Sequence, residues 1–252
     1  MTLQTNSRYK LIALDMDGTL LNRKGEISEQ NRKWIQAALE ADIKVILATS
    51  RSIRGVVEHA RTLNLDLPVI VSNASEVWRT PDELLSRYEF NAEAKERILK
   101  VIKEYNGHIR FYIQYVGGQF NHDQWDPELA WEKQWLQVAI KSDDGELLDK
   151  IREEISSWGL LDICSSHYTN IECNPAGRSK GSGLLEVCNL FDIRMEEVIA
   201  VGDSLNDVSM IRAAGLGIAM GNAQEVVKQA ADEITLSNEE DGVAAVIQRY
   251  FF

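Results

Sequence analysis

The stretch Tyr9-Lys10-Leu11-Ile12-Ala13-Leu14-Asp15-Met16-Asp17-Gly18-Thr19 decides how the rest of the chain is read. Tyr9 to Leu14 is an apolar run too short for a helix, and it has the character of a strand buried in a parallel sheet. Two carboxylates spaced two residues apart follow at once, with Gly18 to permit a tight turn. In open parallel sheets ligands gather at the carboxyl ends of strands, where Asp15 and Asp17 stand. Asp and Gly also favour plain turns, so the pair needs support from elsewhere in the chain. An EF-hand loop is excluded, because its glycine belongs at the sixth position and helices must flank it.

Outward from this stretch the first third alternates strand and helix. Ser28 is placed to cap a helix carrying Trp34, Ala37, Ala38 and Ala41 at helical spacing. Ile43 to Ala48 reads as a second buried strand, Ser52 to Leu63 as a helix, and Val69 to Val71 as a third strand. The last third repeats the pattern, with a helix at Gly183 to Leu190, a strand at Val198 to Val201 and a helix at Leu205 to Ala214. A short strand at Gly217 to Ala219, a helix from about Glu225, a strand at Ile234 to Leu236 and a helix after Asp241 complete it. This alternation predicts an α/β fold, a doubly wound, Rossmann-like parallel sheet with helices on both faces. The middle differs. From 81 to 178 aromatic residues crowd in, including four of the six tryptophans. His108 to His122 reads as two antiparallel strands around Gly117-Gly118. Glu93 to Tyr105 and Gly145 to Trp158 read as amphipathic helices, and Tyr168 to Cys173 as a strand. The expected organisation is a core built from 1–80 and 179–252, with an α+β domain inserted at 81–178.

The chain has 252 residues, 44% of them apolar and 26% charged, an ordinary globular composition. Its 39 acidic and 27 basic residues give a formal net charge of −12, which argues against nucleic acid and anionic membrane surfaces as partners. No apolar run approaches the roughly 18 residues of a membrane span, and polar Met1 to Lys10 does not read as a signal peptide. Three widely spaced cysteines without a CxxC fit a reducing cytoplasm and no zinc site. Asn73-Ala74-Ser75 matches a glycosylation sequon, which carries no meaning without a secretory signal.

Three further segments join the first. Gly202-Asp203-Ser204-Leu205-Asn206-Asp207 follows the Val198 to Val201 strand and opens a helix, so Asp203 and Asp207 share one face. Alone, acidic residues there would be explained by the helix dipole, worth about 0.3–1 kcal/mol. Beside another carboxylate pair at a strand end, they form a cluster of hard oxygens suited to Mg²⁺ with water and phosphate. Thr49-Ser50-Arg51 ends the second strand where a hydroxyl and backbone N–H groups can meet an anion. Lys180 stands just before the helix at Gly183.

Together DMDGT, Thr49, Lys180 and GDSLND resemble the haloacid dehalogenase superfamily of phosphohydrolases, more narrowly its Cof-type branch with a class IIB cap. The resemblance implies that Asp15 is the nucleophile and Asp17 the general acid and base. It implies that Thr49, Ser50, Lys180 and Asn206 hold the phosphate, while Asp15, the Asp17 carbonyl, Asp203 and Asp207 hold Mg²⁺. The implied activity is hydrolysis of a small phosphorylated metabolite, such as a sugar phosphate, through an aspartyl-phosphate. A sugar phosphomutase or a non-catalytic Mg²⁺-dependent binder of phosphorylated ligands are the alternatives. Asp17 is expected to be buried among carboxylates, so that it starts protonated. The insert would be a cap that chooses the leaving group, with Asn121, His122 and Asp123 as candidate contacts. Where branch members commonly show TGR and NGA, this chain has Thr49-Ser50-Arg51 and Asn73-Ala74-Ser75. If either glycine adopts φ > 0, the backbone here is altered or strained.

Overall fold

The computed structural model describes residues 7–66, 68–80 and 82–252. Met1 to Asn6 and Pro81, the first residue of the expected insert, lie outside the described residues. The elements run β1 (Leu11–Leu14), α1 (Glu29–Glu40), β2 (Lys44–Ala48), α2 (Val57–Thr62), β3 (Val69–Val71), β4 (Glu76–Thr80) and β5 (Glu83–Arg87). Then follow α3 (Ala92–Glu104), β6 (Arg110–Tyr115), β7 (Gly118–Asn121), α4 (Pro127–Trp131), β8 (Trp135–Lys141), α5 (Gly145–Ser157), β9 (Leu161–Cys164) and β10 (Asn170–Pro175). The chain closes with α6 (Lys180–Phe191), β11 (Val198–Gly202), α7 (Val208–Ala213), β12 (Leu216–Ala219), α8 (Glu225–Ala230), β13 (Glu233–Ile234) and α9 (Gly242–Phe251).

Eight strands form the larger sheet in the order β13-β12-β11-β1-β2-β3-β4-β5. β13 to β3 are parallel, whereas β4 and β5 add an antiparallel edge. Alternation along β1 sends Ile12 and Leu14 to one apolar layer, against α1, α8 and α9, and Leu11 and Ala13 to the other, against α6 and α7. Burial on both faces explains why these strands read as unbroken apolar runs. The chain runs from β1 through β2 to β3 on one side and returns through β11 to β13 on the other. β1 and β11 therefore flank the point where strand order reverses, the place an open α/β sheet offers a ligand.

The second sheet is antiparallel, in the order β7-β6-β8-β10-β9. Its apolar face packs on α3 and α5 around fully buried Trp135, Ile113, Ile140 and Ile171. Ser28 caps α1 as expected, accepting the N–H of Asn31 at 3.0 Å. Where sequence spacing places the boundary at 80/81, the larger sheet continues to Arg87, because β4 and β5 pair as a hairpin. The expected helix at Ser52 to Leu63 is a single turn at Ile53–Gly55 followed by α2, and the strand at Ile234 to Leu236 is Glu233–Ile234. β8 and β9 have no counterpart in the sequence reading. Among the described residues no helix is long and apolar enough to cross a membrane.

Candidate active site

Asp15 leaves the end of β1 and is buried. Lys180 opens α6, whose cap is a reciprocal pair: Ser182 N–H donates to Ser179 Oγ at 3.3 Å and Ser179 N–H to Ser182 Oγ at 3.0 Å. That cap directs a fully buried ammonium between two carboxylates, with Nζ donating to Asp15 Oδ1 and to Asp207 Oδ1, each at 2.6 Å. The other oxygen of Asp207 accepts the backbone N–H groups of Asp203 and Ser204, both at 2.9 Å, which fixes the loop after β11. Thr19 Oγ1, at the end of DMDGT, donates to Asp203 Oδ1 at 3.0 Å. The loops after β1 and β11 thus meet through one hydroxyl. They meet so closely that a Cβ on Gly18 would lie 2.4 Å from Asp203 Oδ2, and Gly18 also has φ +84°.

Asp15, Asp203 and Asp207 each bring a carboxylate oxygen within 4.8 Å of the others. Three carboxylates face one ammonium, so the cluster keeps an excess of negative charge. Burial and the neighbouring Asp207 charge push the Asp15 carboxyl well above its ordinary range, against the pull of Lys180. The same two causes push Asp203 up to about 6. Burial alone would weaken the Lys180 ammonium, but Asp15 and Asp207 outweigh it and hold the proton. Asn206 Oδ1 is buried with no hydrogen-bond partner among the described residues. Crowded hard oxygens short of positive charge, with an unpaired carbonyl beside them, are the donor set a hydrated Mg²⁺ fits.

Asp17 departs from expectation. Its side chain is 56% exposed, and Arg51 clasps both oxygens, Nε at 2.7 Å and Nη2 at 2.6 Å. The buried, carboxylate-crowded position expected for Asp17 is occupied by Asp15. Thr49 is fully buried at the end of β2, and its Oγ1 accepts the N–H of Arg51 at 3.2 Å. Ser50 donates no side-chain bond to the cluster; its carbonyl accepts Gln114 Nε2 at 3.0 Å.

The two family glycines fare differently. Ser50 is not among the residues at positive φ, but Ser72, Asn73 and Ala74 form a left-handed turn at φ 49°, 51° and 73°. The second sheet steadies this turn. Asn73 Nδ2 donates to Glu172 Oε2 at 2.8 Å and to Asn174 Oδ1 at 3.2 Å, and Asn174 Nδ2 donates to the Ser72 carbonyl at 2.8 Å. Asn206 Nδ2 reaches Asn73 Oδ1 at 3.4 Å, so the turn also touches the loop after β11. Sequence reasoning gives no site role to Asn73, which enters it only as the start of Asn73-Ala74-Ser75, to Glu172, a strand glutamate without a motif, or to Arg51.

Asp17, Arg51, Ser52, Tyr112, Gln119 and Asn121 line a cavity of about 370 Å³ between the two sheets. Asn121 therefore stands where a leaving group could be met. His122 and Asp123 do not, because they line a separate groove with Leu99, Phe111 and Trp125 on the helical side of the second sheet.

The sequence profile of haloacid dehalogenase-like hydrolases matches residues 12–128 and 116–247. The chain is 38% identical to the 5-amino-6-(5-phospho-D-ribitylamino)uracil phosphatase YcsE of Bacillus subtilis over 96% of this chain and 95% of that protein. A haloacid dehalogenase-like hydrolase from B. subtilis superposes with a TM-score of 0.86 at 26% identity, covering 95% of this chain and 99% of the other. A subclass IIB sugar phosphatase, BT4131, shares the fold at a TM-score of 0.84 and 23% identity, covering 96% and 98%. This chain belongs to the haloacid dehalogenase-like hydrolases, as a Cof-type phosphohydrolase.

Proposed function

We propose that the chain is a Mg²⁺-dependent phosphatase of small phosphorylated metabolites, working through an aspartyl-phosphate on Asp15. The observation that carries this reading is the Asp15–Lys180–Asp207 chain, which presents one carboxylate of a charge-crowded cluster at the end of β1. Asp15, Asp203 and the Asp17 carbonyl would hold the ion, with Asp207 beside it. The bound ion would neutralise phosphoryl oxygens and keep Asp15 ionised at neutral pH. Thr49, the Ser50 N–H, Lys180 and Asn206 would hold the phosphate.

Asp15 Oδ attacks phosphorus in line, and the bond from phosphorus to the ester oxygen breaks. A proton on Asp17 passes to the departing alkoxide. Water then attacks the same phosphorus, Asp17 takes its proton, and the bond from phosphorus to Asp15 breaks, releasing phosphate. In the resting chain Arg51 holds the Asp17 carboxylate, so Asp17 must leave that clasp, or share it, before donating. The residues from about 88 to 178, which carry the second sheet, would form the cap, closing over the site and excluding bulk water. The free thiols of Cys164, Cys173 and Cys188 suit a cytoplasmic setting.

The substrate named for the 38% identical relative, 5-amino-6-(5-phospho-D-ribitylamino)uracil, heads the compounds to try, followed by sugar phosphates. The test is phosphate release from such a panel by the wild-type chain and by Asp15→Asn, with and without excess chelator. We expect turnover that Mg²⁺ restores after chelation, and a loss beyond a hundredfold in Asp15→Asn. Full activity in chelator would remove the ion from the reading, and an active Asp15→Asn would remove the covalent step.

A further inference from the structure

Two carboxylates are buried outside the Asp15 cluster. Glu76 has a cation, Arg87 Nε at 2.7 Å, whereas Glu172 forms no ion pair among the described residues. Glu172 lies on β10, 1% exposed, where the second sheet meets the turn after β3. Its partners are neutral donors. Oε2 accepts Asn73 Nδ2 at 2.8 Å, while Oε1 accepts Asn170 Nδ2 at 3.2 Å and the Ser166 hydroxyl. An ionised carboxyl costs more to bury than an amide of the same shape. It also differs in kind: a carboxylate only accepts, so it dictates which way each neighbouring amide turns.

Asn73 turns its amino group to Glu172, which leaves its Oδ1 to accept Asn206 Nδ2 at 3.4 Å. The other carboxylate oxygen orients Asn170 in the same way. With its amino group on Glu172, Asn170 accepts the backbone N–H groups of Ser166 and His167 on Oδ1, at 3.2 and 3.1 Å. Those bonds shape the loop whose Ser165 carbonyl receives the Asn206 N–H at 3.0 Å. Asn206 is thus fixed at its amide and at its backbone by two routes that start from one carboxylate. The Asn73 backbone acts on another side of the site, where its N–H donates to the Thr49 carbonyl at 3.0 Å. Across a trans peptide the N–H points opposite to the carbonyl, so Ser50 N–H is directed away from the turn. Ser50 N–H and Asn206 are two of the groups that the phosphatase reading gives to the phosphate.

We propose that Glu172 is a positioning residue for the phosphate site. It acts through Asn73 and Asn170 to aim the Asn206 amide, and through Asn73 to hold the Ser50 N–H, at the phosphoryl group. The inference rests on the phosphatase reading above and adds to it a residue outside the four motif segments. The phosphoryl group is common to every ester, so the contribution of Glu172 is independent of the leaving group. Donors already in place meet an anion without reorganising, and one net hydrogen bond corresponds to about three- to tenfold in affinity.

The experiment measures kcat and KM for 4-nitrophenyl phosphate and for the best sugar phosphate of the panel, and the inhibition constant of inorganic phosphate. It compares the wild type with Glu172→Gln, Glu172→Ala, Asn73→Gly and the double variant Glu172→Ala with Asn73→Gly. Glycine keeps the Asn73 backbone N–H and its φ of 51° while removing the amide. Glu172→Ala should raise the phosphate inhibition constant and both KM values by one common factor, about tenfold, with kcat changed less. Glu172→Gln keeps the shape but has one acceptor for donors on two sides, so its increase should be smaller, about threefold. The double variant should fall short of the product of the single effects, because Glu172 acts partly through Asn73. A lower kcat with KM and the inhibition constant unchanged reports less folded enzyme and overturns the inference. Losses that differ between the two esters overturn it too, and so do single effects that multiply in the double variant. Should the alanine variant not fold, an unchanged inhibition constant in Glu172→Gln overturns the inference and a raised one supports it. A wild type that releases phosphate from no phosphomonoester overturns the phosphatase reading, and the inference with it.

Discussion

Asp15, Asp203 and Asp207 are held within one small volume by a single ammonium, and stability is sacrificed to keep them there. A carboxylate whose folded-state pKa is raised keeps its proton longer in the folded chain than in the unfolded one. For Asp203, at about 6 against an ordinary 3.8, that difference stabilises the fold below about pH 4. It is lost as pH rises through 6, a change on the order of 3 kcal/mol before neighbours respond. A divalent cation binds only the ionised form. In the metal-free chain, Mg²⁺ should therefore raise Tm more at pH 7.5 than at pH 5, and Asp203→Asn should abolish the difference. An equal increment at both pH values would mean the cluster does not hold the ion. Asp15→Asn removes one of the repelling charges, so an inactive variant no less stable than the wild type is expected in urea unfolding without metal. Lys180→Met should do the reverse, costing about 3–5 kcal/mol by leaving buried carboxylates without their cation. Asp15, Asp203, Asp207 and Lys180 were legible because each sits next to a strand or helix boundary the sequence marks. Arg51 was not: its partner Asp17 is 34 residues away, and nothing in Thr49-Ser50-Arg51 says which carboxylate it meets.

At the scale of elements, the turn after β3 shows what a family glycine was doing. Ala74 has φ +73°, where a side chain costs about 1–2 kcal/mol. Its methyl is buried against α6, and a Cβ on Gly183 would come within 2.7 Å of it. Ala74→Gly relieves the backbone but gives up about 0.8 kcal/mol of methyl burial and about 0.5–1 kcal/mol of chain entropy. Urea unfolding should therefore find Ala74→Gly within about 1 kcal/mol of the wild type. Ala74→Val, β-branched at positive φ and facing α6, should cost more than about 2 kcal/mol. A loss above 2 kcal/mol for the glycine variant would mean that the turn carries no strain. The same scale explains what the sequence hid. β1, β2, β3 and β11 are unbroken apolar runs between turn signals. β8 (Trp135–Lys141) is buried along nearly its whole length but carries Gln137 and Ala139 on its core-facing side, so neither alternation nor a pure apolar run marks it. β5 is a partly exposed edge strand, and its mixed sequence Glu83-Leu84-Leu85-Ser86-Arg87 reads as loop.

For the whole molecule the question is whether the second sheet moves over the first, as the proposed cap closure requires. The two are stitched at the left-handed turn, where Ser75 Oγ donates to the Leu136 carbonyl at 2.6 Å, and at the loop after β11, where Asn206 N–H donates to the Ser165 carbonyl at 3.0 Å. A relative motion of the two sheets would break or slide contacts of this kind while the two apolar cores stay intact. Three of the cap's four tryptophans are poor reporters of such motion, and the fourth, Trp131, is exposed on α4. Trp125 and Trp135 pack with Phe111 and Phe90 in the apolar layer behind the sheet, and Trp158 is partly buried against that layer. Trp78 is better placed. It projects from β4, its Nε1 donates to Glu76 Oε2 at 3.0 Å, and it lines a crevice with Tyr115, Gly117 and Gly118 of the cap's first hairpin. Motion of the cap over the core would change the water around that indole, whereas the buried tryptophans would keep theirs. Binding of Mg²⁺ with an inert phosphate analogue should therefore shift tryptophan emission, and Trp78→Phe should remove most of the shift while leaving phosphate release within a few fold. A shift that survives in Trp78→Phe would place the movement inside the cap and not at the crevice between the sheets.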